Sequence, residues 1–84
     1  MAGPYKLAPT QSQGGIPTWP AHKRTKVLVS NATGSVGRIK MKAGVSPPEE
    51  HDVSPGQHEF DRDFGGLLLT VTNEGSVALT VGTL

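Results

Sequence analysis

From Lys26 onward apolar and polar side chains alternate with a period of two, in blocks separated by Gly, Asn, Ser and Pro. Such alternation puts successive side chains on opposite faces of a strand, one buried and one wet. Lys26-Val27-Leu28-Val29-Ser30 and the run from Val36 to Met41 flank Asn31-Ala32-Thr33-Gly34-Ser35, an Asn-to-Gly turn of the kind that closes a β-hairpin. The implied register sets Asn31 against Ser35, Val29 against Gly37 and Val27 against Ile39 on one face. Leu28 then meets Arg38, and Lys26 meets Lys40, on the other. A second hairpin is predicted from Leu67 to Val71, a turn at Thr72-Asn73-Glu74-Gly75-Ser76, and Val77 to Val81, pairing Val71 with Val77, Leu69 with Leu79 and Leu67 with Val81. Both loops call for a left-handed glycine, at Gly34 and Gly75. The Gly-Ser-Val after each turn reads as shared turn chemistry and not as duplication.

Between the hairpins, Ser46-Pro47-Pro48-Glu49 has capping-box spacing and predicts one helical turn ending near Asp52. Ser54-Pro55-Gly56-Gln57 predicts a type II turn, and His58 to Asp63 a strand that the Gly65-Gly66 pair ends. About five or six short strands with Gly/Pro turns predict an all-β fold, a small antiparallel sandwich or open barrel.

The leader is different. Residues 1–21 hold four of the seven prolines (Pro4, Pro9, Pro17, Pro20) and three glycines. Proline removes amide donors and glycine adds backbone entropy, so these residues predict an extended N-terminal arm preceding a β domain at 22–84. Tyr5 and Trp19, the single Tyr and the single Trp of the chain, both lie in it. Either Trp19 folds back on its own domain, or the two rings anchor the arm in a neighbour's pocket, as aromatic side chains often do at interfaces; the second reading is preferred.

Eighty-four residues, of which ~60 remain after the leader, sit near the lower limit for independent folding, where buried surface only just offsets chain entropy. With no cysteine there is neither a disulfide staple nor a Cys-based zinc site, so oligomerisation or docking is the expected source of extra stability. No apolar run is long enough to span a bilayer, and no basic-then-apolar signal layout opens the chain. A soluble protein made in a cytoplasm, with no membrane partner, is expected.

Charge is polarised along the chain. The first 42 residues carry seven Lys or Arg and no acid, while the last 42 carry seven Asp or Glu and one Arg. The predicted registers put Arg24, Lys26, Arg38, Lys40 and Lys42 on one face of the first hairpin, and Glu59, Asp61 and Asp63 along one face of a strand. Like charges across a sheet repel, so the basic face calls for an anionic cover. Carboxylates of this chain, of sister subunits or of a larger protein assembly are the expected cover, with nucleic acid second because aromatics are not interleaved with the bases.

The remaining motifs do not assemble into chemistry. Lys26 to Arg38 resembles the dinucleotide loop of atypical short-chain reductases, but Asn31 replaces the first glycine and a strand follows where a helix should open. Asn31-Ala32-Thr33 matches a glycosylation sequon without a secretion signal. Asp61-Arg62-Asp63 lacks the third ligand and closing Glu of a calcium loop. His22, His51 and His58 show no ligand spacing, and no nucleophile, base and acid occur in a recognisable arrangement. A non-enzyme without cofactor or metal is expected.

A cysteine-free mini-sandwich with an extended leader (Met1 to Ala21) and two hairpins resembles, in architecture, the small decoration, cement or minor capsid proteins of tailed phages. That resemblance implies a homo-oligomeric structural subunit of a virion, made in the host cytoplasm. It also implies that Tyr5 and Trp19 act as arm anchors and that the basic face meets shell or sister subunits. Two alternatives stay open: a carbohydrate- or surface-binding β module of an adhesin or tail fibre, cytoplasmic or extracellular, and a nucleic-acid-binding accessory protein.

Overall fold

Residues 2–84 are described by a computed structural model, in which eight strands form two four-stranded antiparallel sheets. They are β1 (Ala2–Leu7), β2 (Ser12–Ile16), β3 (Thr25–Asn31), β4 (Gly37–Ala43), β5 (Glu49–Val53), β6 (Gly56–Arg62), β7 (Leu69–Asn73) and β8 (Leu79–Thr83). One sheet runs β1-β8-β3-β6 and the other β2-β7-β4-β5. The alternation does its expected work locally. Val27 and Val29 of β3, Ile39 and Met41 of β4, Val71 of β7 and Val81 of β8 all face inward and are buried between the layers.

The pairing of the strands departs from expectation. β3 is bonded to β6 and β8, and β4 to β5 and β7, so the two strands of the predicted first hairpin lie in opposite sheets. The predicted second hairpin separates in the same way, β7 into one sheet and β8 into the other. The turns are therefore arches. Each strand has a single apolar face that no helix among the described residues covers, and an arch sets the apolar faces of β3 and β4 against one another across the core. β1-β2, β3-β4, β5-β6 and β7-β8 form four such arches, all turning at the same end. The fourth arch is inserted between the first and the second.

A buried asparagine holds each of two arch corners. Asn31 Nδ2 donates to the carbonyls of Ser35 and Val53, both at 2.8 Å, and its Oδ1 accepts from the Thr33 amide at 3.0 Å. Asn73 Nδ2 donates to the carbonyls of Val77 at 2.7 Å and Leu7 at 3.0 Å, and its Oδ1 accepts from the Gly75 amide at 3.1 Å. Each amide thus closes its own corner at i+4 and ties it to the next arch, satisfying carbonyls that have left the ladder. The structural repeat runs Asn31 to Asn73 and is one residue out of phase with the Gly-Ser-Val similarity.

Gly34 and Gly75 are not left-handed, because an arch needs no hairpin loop; Gly56, at the third position of its predicted turn, has φ of +117°. Gly75 has a different constraint. A Cβ there would stand 2.7 Å from the Arg38 amide nitrogen, where the Glu74 and Gly75 amides both donate to the Arg38 carbonyl, whereas a Cβ on Gly34 meets nothing within 4 Å. Gly75→Ala is expected to cost about 2 kcal/mol and Gly34→Ala under about 0.5 kcal/mol. Equal urea midpoints for the two variants would contradict this close-approach argument.

The leader is a second correction. It is not an arm outside the domain: β1 pairs with β8 and β2 with β7, and Leu7 and Ile16 are core residues. Pairing supplies most of the hydrogen bonds that prolines were expected to deny, since Pro4 sits in an edge strand and Pro9, Pro17 and Pro20 fall in loops. Met1, the expected start of the arm, lies outside the described residues. The Ser46-to-Asp52 helical turn is also corrected, because Glu49–Val53 is strand β5 paired along β4.

Candidate functional site

The charged residues singled out by the sequence divide between two outer faces. Lys26, Glu59 and Asp61 point outward from the β3/β6 side of the first sheet, where Lys26 Nζ lies 3.6 Å from Glu59. Arg38, Lys40 and Lys42 point outward from β4 in the second sheet. The expected single basic face is therefore corrected, because arch geometry sends β3 and β4 to different layers. Arg24 donates to the Asp61 carbonyl at 3.2 Å. Tyr5 is half-buried in β1 and packs on the core.

Most of these charges meet within the chain. Arg38 bonds Asp52 at 2.8 Å and lies 3.9 Å from Glu50, while Lys40 lies 4.0 Å from Glu74. The register explains it: Arg38 is directly opposite Asp52, and Lys40 opposite Glu50. The hydrogen bond to Asp52 raises the Arg38 pKa. Sharing of a proton between the Glu50 and Glu74 carboxyls would hold Glu74 above its ordinary value and Glu50 below it. At the open side between β5 and β6, Glu49, His51, Phe60 and Arg62 face inward. Arg62 Nε donates to Glu49 at 2.9 Å, and the His51 ring stacks on Phe60 at 4.6 Å. Burial pushes the Glu49 carboxyl up, but hydrogen bonds from Arg62 and His51 bring it below its ordinary value. Inward charge of this kind protects an edge from further pairing.

A shallow trough of about 450 Å3 lies on the outer face of the first sheet, lined by Pro4, Leu28, Gln57, Glu59, Thr80 and Gly82 among others. It gathers no set of convergent charges or nucleophiles. Among the described residues no three His, Asp or Glu side chains converge to hold a metal ion.

The opposite end from the arch corners is chemically distinct. It consists of the β2-β3, β4-β5 and β6-β7 connections and the C-terminal residue. Of the six large apolar side chains left exposed among the described residues, five are here: Trp19, Val45, Leu67, Leu68 and Leu84. Val45 is 98% and Leu68 61% exposed. Trp19 and Leu84 line a common cleft, and Leu67 is packed against Gly44. The loops are tied to one another: Thr18 Oγ1 donates to the Leu67 carbonyl at 2.6 Å, and the Gly44 amide to the Leu68 carbonyl at 3.1 Å. Lys23 Nζ lies 4.0 Å over the Trp19 ring, and the Trp19 amide donates to Thr25 Oγ1 at 2.9 Å. Trp19 thus rests on its own domain and remains 39% exposed.

Asp63 does not continue the acidic stripe. Its carboxylate turns into this end and accepts the amides of Gly65 at 2.9 Å and His22 at 3.0 Å, which lower its pKa. A carboxylate depressed in the fold stabilises above its unfolded pKa and loses that contribution as pH falls through the folded value. The stability gap between the protein and Asp63→Asn should therefore be fully present at neutral pH and shrink in acid. Urea midpoints for both proteins across that range measure it; a gap constant with pH would show that the two amides do not distinguish carboxylate from amide.

Of this end, sequence reasoning found Trp19 and Asp63 and missed Val45, Leu67, Leu68 and Leu84. The signal available was apolar residues set among turn formers, in Gly44-Val45-Ser46-Pro47 and Gly65-Gly66-Leu67-Leu68, where polar ones would have served the turn equally well.

Fold and site together define a small two-sheet β-sandwich of stacked arches with one apolar loop end. The chain belongs to the family of unknown function DUF8244, whose match covers residues 5–84 and so includes β2 and the second half of β1. Two uncharacterized proteins of Dictyostelium discoideum are each 48% identical to it over 83 residues, 99% of this chain and 99% of theirs. No solved structure matches it.

Proposed function

We propose that the protein is a non-catalytic binding module that attaches to a larger assembly through its apolar loop end. The observation that carries this reading is the gathering of five exposed large apolar side chains at one end of the sandwich. Scattered exposed apolar residues are ordinary, but five gathered on the loops of one end favour a contact surface. The expected subunit of a larger structure is kept, with its contact moved from an arm to the loops. The charge stripes lose most of their role as contacts, because Lys26, Arg38 and Lys40 already have acidic neighbours in the same chain.

The test is a Val45→Ser, Leu68→Ser double variant. Retention on a hydrophobic-interaction matrix should fall clearly, while stability changes by under about 0.5 kcal/mol, as for surface positions. A stability loss above about 2 kcal/mol would show that these side chains serve packing, and unchanged retention would show that this end is not the adhesive one.

A further inference from the structure

We propose that the surface this end takes is a lipid bilayer carrying anionic headgroups, with Trp19, Val45, Leu67 and Leu68 entering the headgroup and upper acyl region. The proposal rests on the reading of the loop end as the contact surface. No helix among the described residues is long and apolar enough to cross a membrane, so the attachment proposed is to the surface.

Shape favours a bilayer over a folded protein partner. Val45 and Leu68 stand out from two different loops, and neither lines the small clefts at this end, of about 120 and 220 Å3. A protein partner must offer a fixed hole for each such knob, whereas a fluid headgroup layer closes around them. The platform beneath is held by the loop-to-loop hydrogen bonds of Thr18 and Gly44, so insertion does not have to order the loops first.

Charge points the same way. Lys23 and Lys42 are exposed at or beside this end, and Arg24 adjoins them. Asp63, the one acid of the three connections, is directed onto the backbone amides of His22 and Gly65. Asp63 keeps its negative charge, so Lys23, Arg24 and Lys42 set three cations against one carboxylate, a net sign that an anionic membrane surface attracts. The Trp19–Lys23 pair has the matching chemistry at close range: an indole suited to the headgroup layer, with an ammonium 4.0 Å from the ring that can reach phosphate while its stem stays on the apolar side.

The intact protein is mixed with vesicles of phosphatidylcholine alone and of phosphatidylcholine with phosphatidylserine, and binding is read by co-sedimentation and by tryptophan emission. The chain has one Trp, so emission reports Trp19 directly. We expect binding to the mixed vesicles that weakens with salt, a blue-shifted emission, and quenching by lipids brominated high on the acyl chain. Lys42→Ala should weaken binding about fivefold. Val45→Asp with Leu68→Asp should abolish it, with circular dichroism melts confirming the fold. Absence of binding to mixed vesicles, or binding indifferent to the aspartate pair, overturns the proposal. If the protein instead self-associates in sedimentation velocity, and the aspartate pair makes it monomeric with no vesicle binding in either form, the bilayer is overturned while the loop end stands as the contact surface. If the aspartate pair alters neither vesicle binding nor matrix retention, both readings fall.

Discussion

Asn73→Ala is expected to cost about 3 kcal/mol, which for a chain of this size lowers the melting temperature by on the order of 10 °C or more. The side chain is fully buried and spends both amide protons on carbonyls, those of Leu7 and Val77, while its oxygen takes the Gly75 amide. Truncation leaves those groups short of partners where water has little access, and each unpaired buried group costs about 1–3 kcal/mol. Asn73→Asp should do no better, since a carboxylate offers acceptors where two donors are required and brings a buried charge. Asn31→Ala should follow the same course through Ser35 and Val53. Urea unfolding of the three variants is the measurement, and losses below about 0.5 kcal/mol for both alanine changes would mean that the corners are held by something other than these amides.

Removing residues 1–16 is expected to leave no stable fold. The deletion takes away two strands, exposes the ladder edges of β8 and β7 and strips Leu7 and Ile16 from the core. Large-to-small changes at single buried aliphatic positions already cost about 2–5 kcal/mol, against a total stability on the order of 5–15 kcal/mol for a typical domain. Ile16→Ala, at a side chain with no exposed surface, should accordingly lose about 3 kcal/mol by itself. Circular dichroism and proton NMR of the truncated chain decide the matter: dispersed methyl and amide signals would show that 17–84 folds without the two leader strands and would restore the arm.

The second expectation reverses the sequence-based picture of a leader that precedes an independent β domain, and the reason is instructive. Pro4, Pro9, Pro17 and Pro20 punctuate the leader so densely that Tyr5 to Leu7 and Ser12 to Ile16 do not stand out as strands, yet short edge strands tolerate proline and glycine because only one side needs a ladder. The loop end was legible only in part for a related reason. Trp19 is conspicuous by type, whereas Val45 and Leu68 are common residues whose meaning depends on being left uncovered, which no local pattern reports.

The period-two alternation by itself determined that the chain from Lys26 is all-β and which side chains of Val27 to Val29, Ile39 to Met41 and Leu69 to Val71 face the core. The order of charged residues likewise determined that opposite charges are segregated along the chain. Partnership was decided only in three dimensions. Alternation tells which face of a strand is buried but not which strand lies beside it, and a tight turn flanked by two such strands suits a hairpin or an arch equally. The choice fell to the arch because a strand with one apolar face and no helix must be covered by a second layer, and because Asn31 and Asn73 can close a corner with their own amides. That long-range decision sent Lys26 and Lys40 to opposite faces, brought acids 10 or more residues away to meet Arg38 and Lys40, and collected three distant loops into a single apolar end.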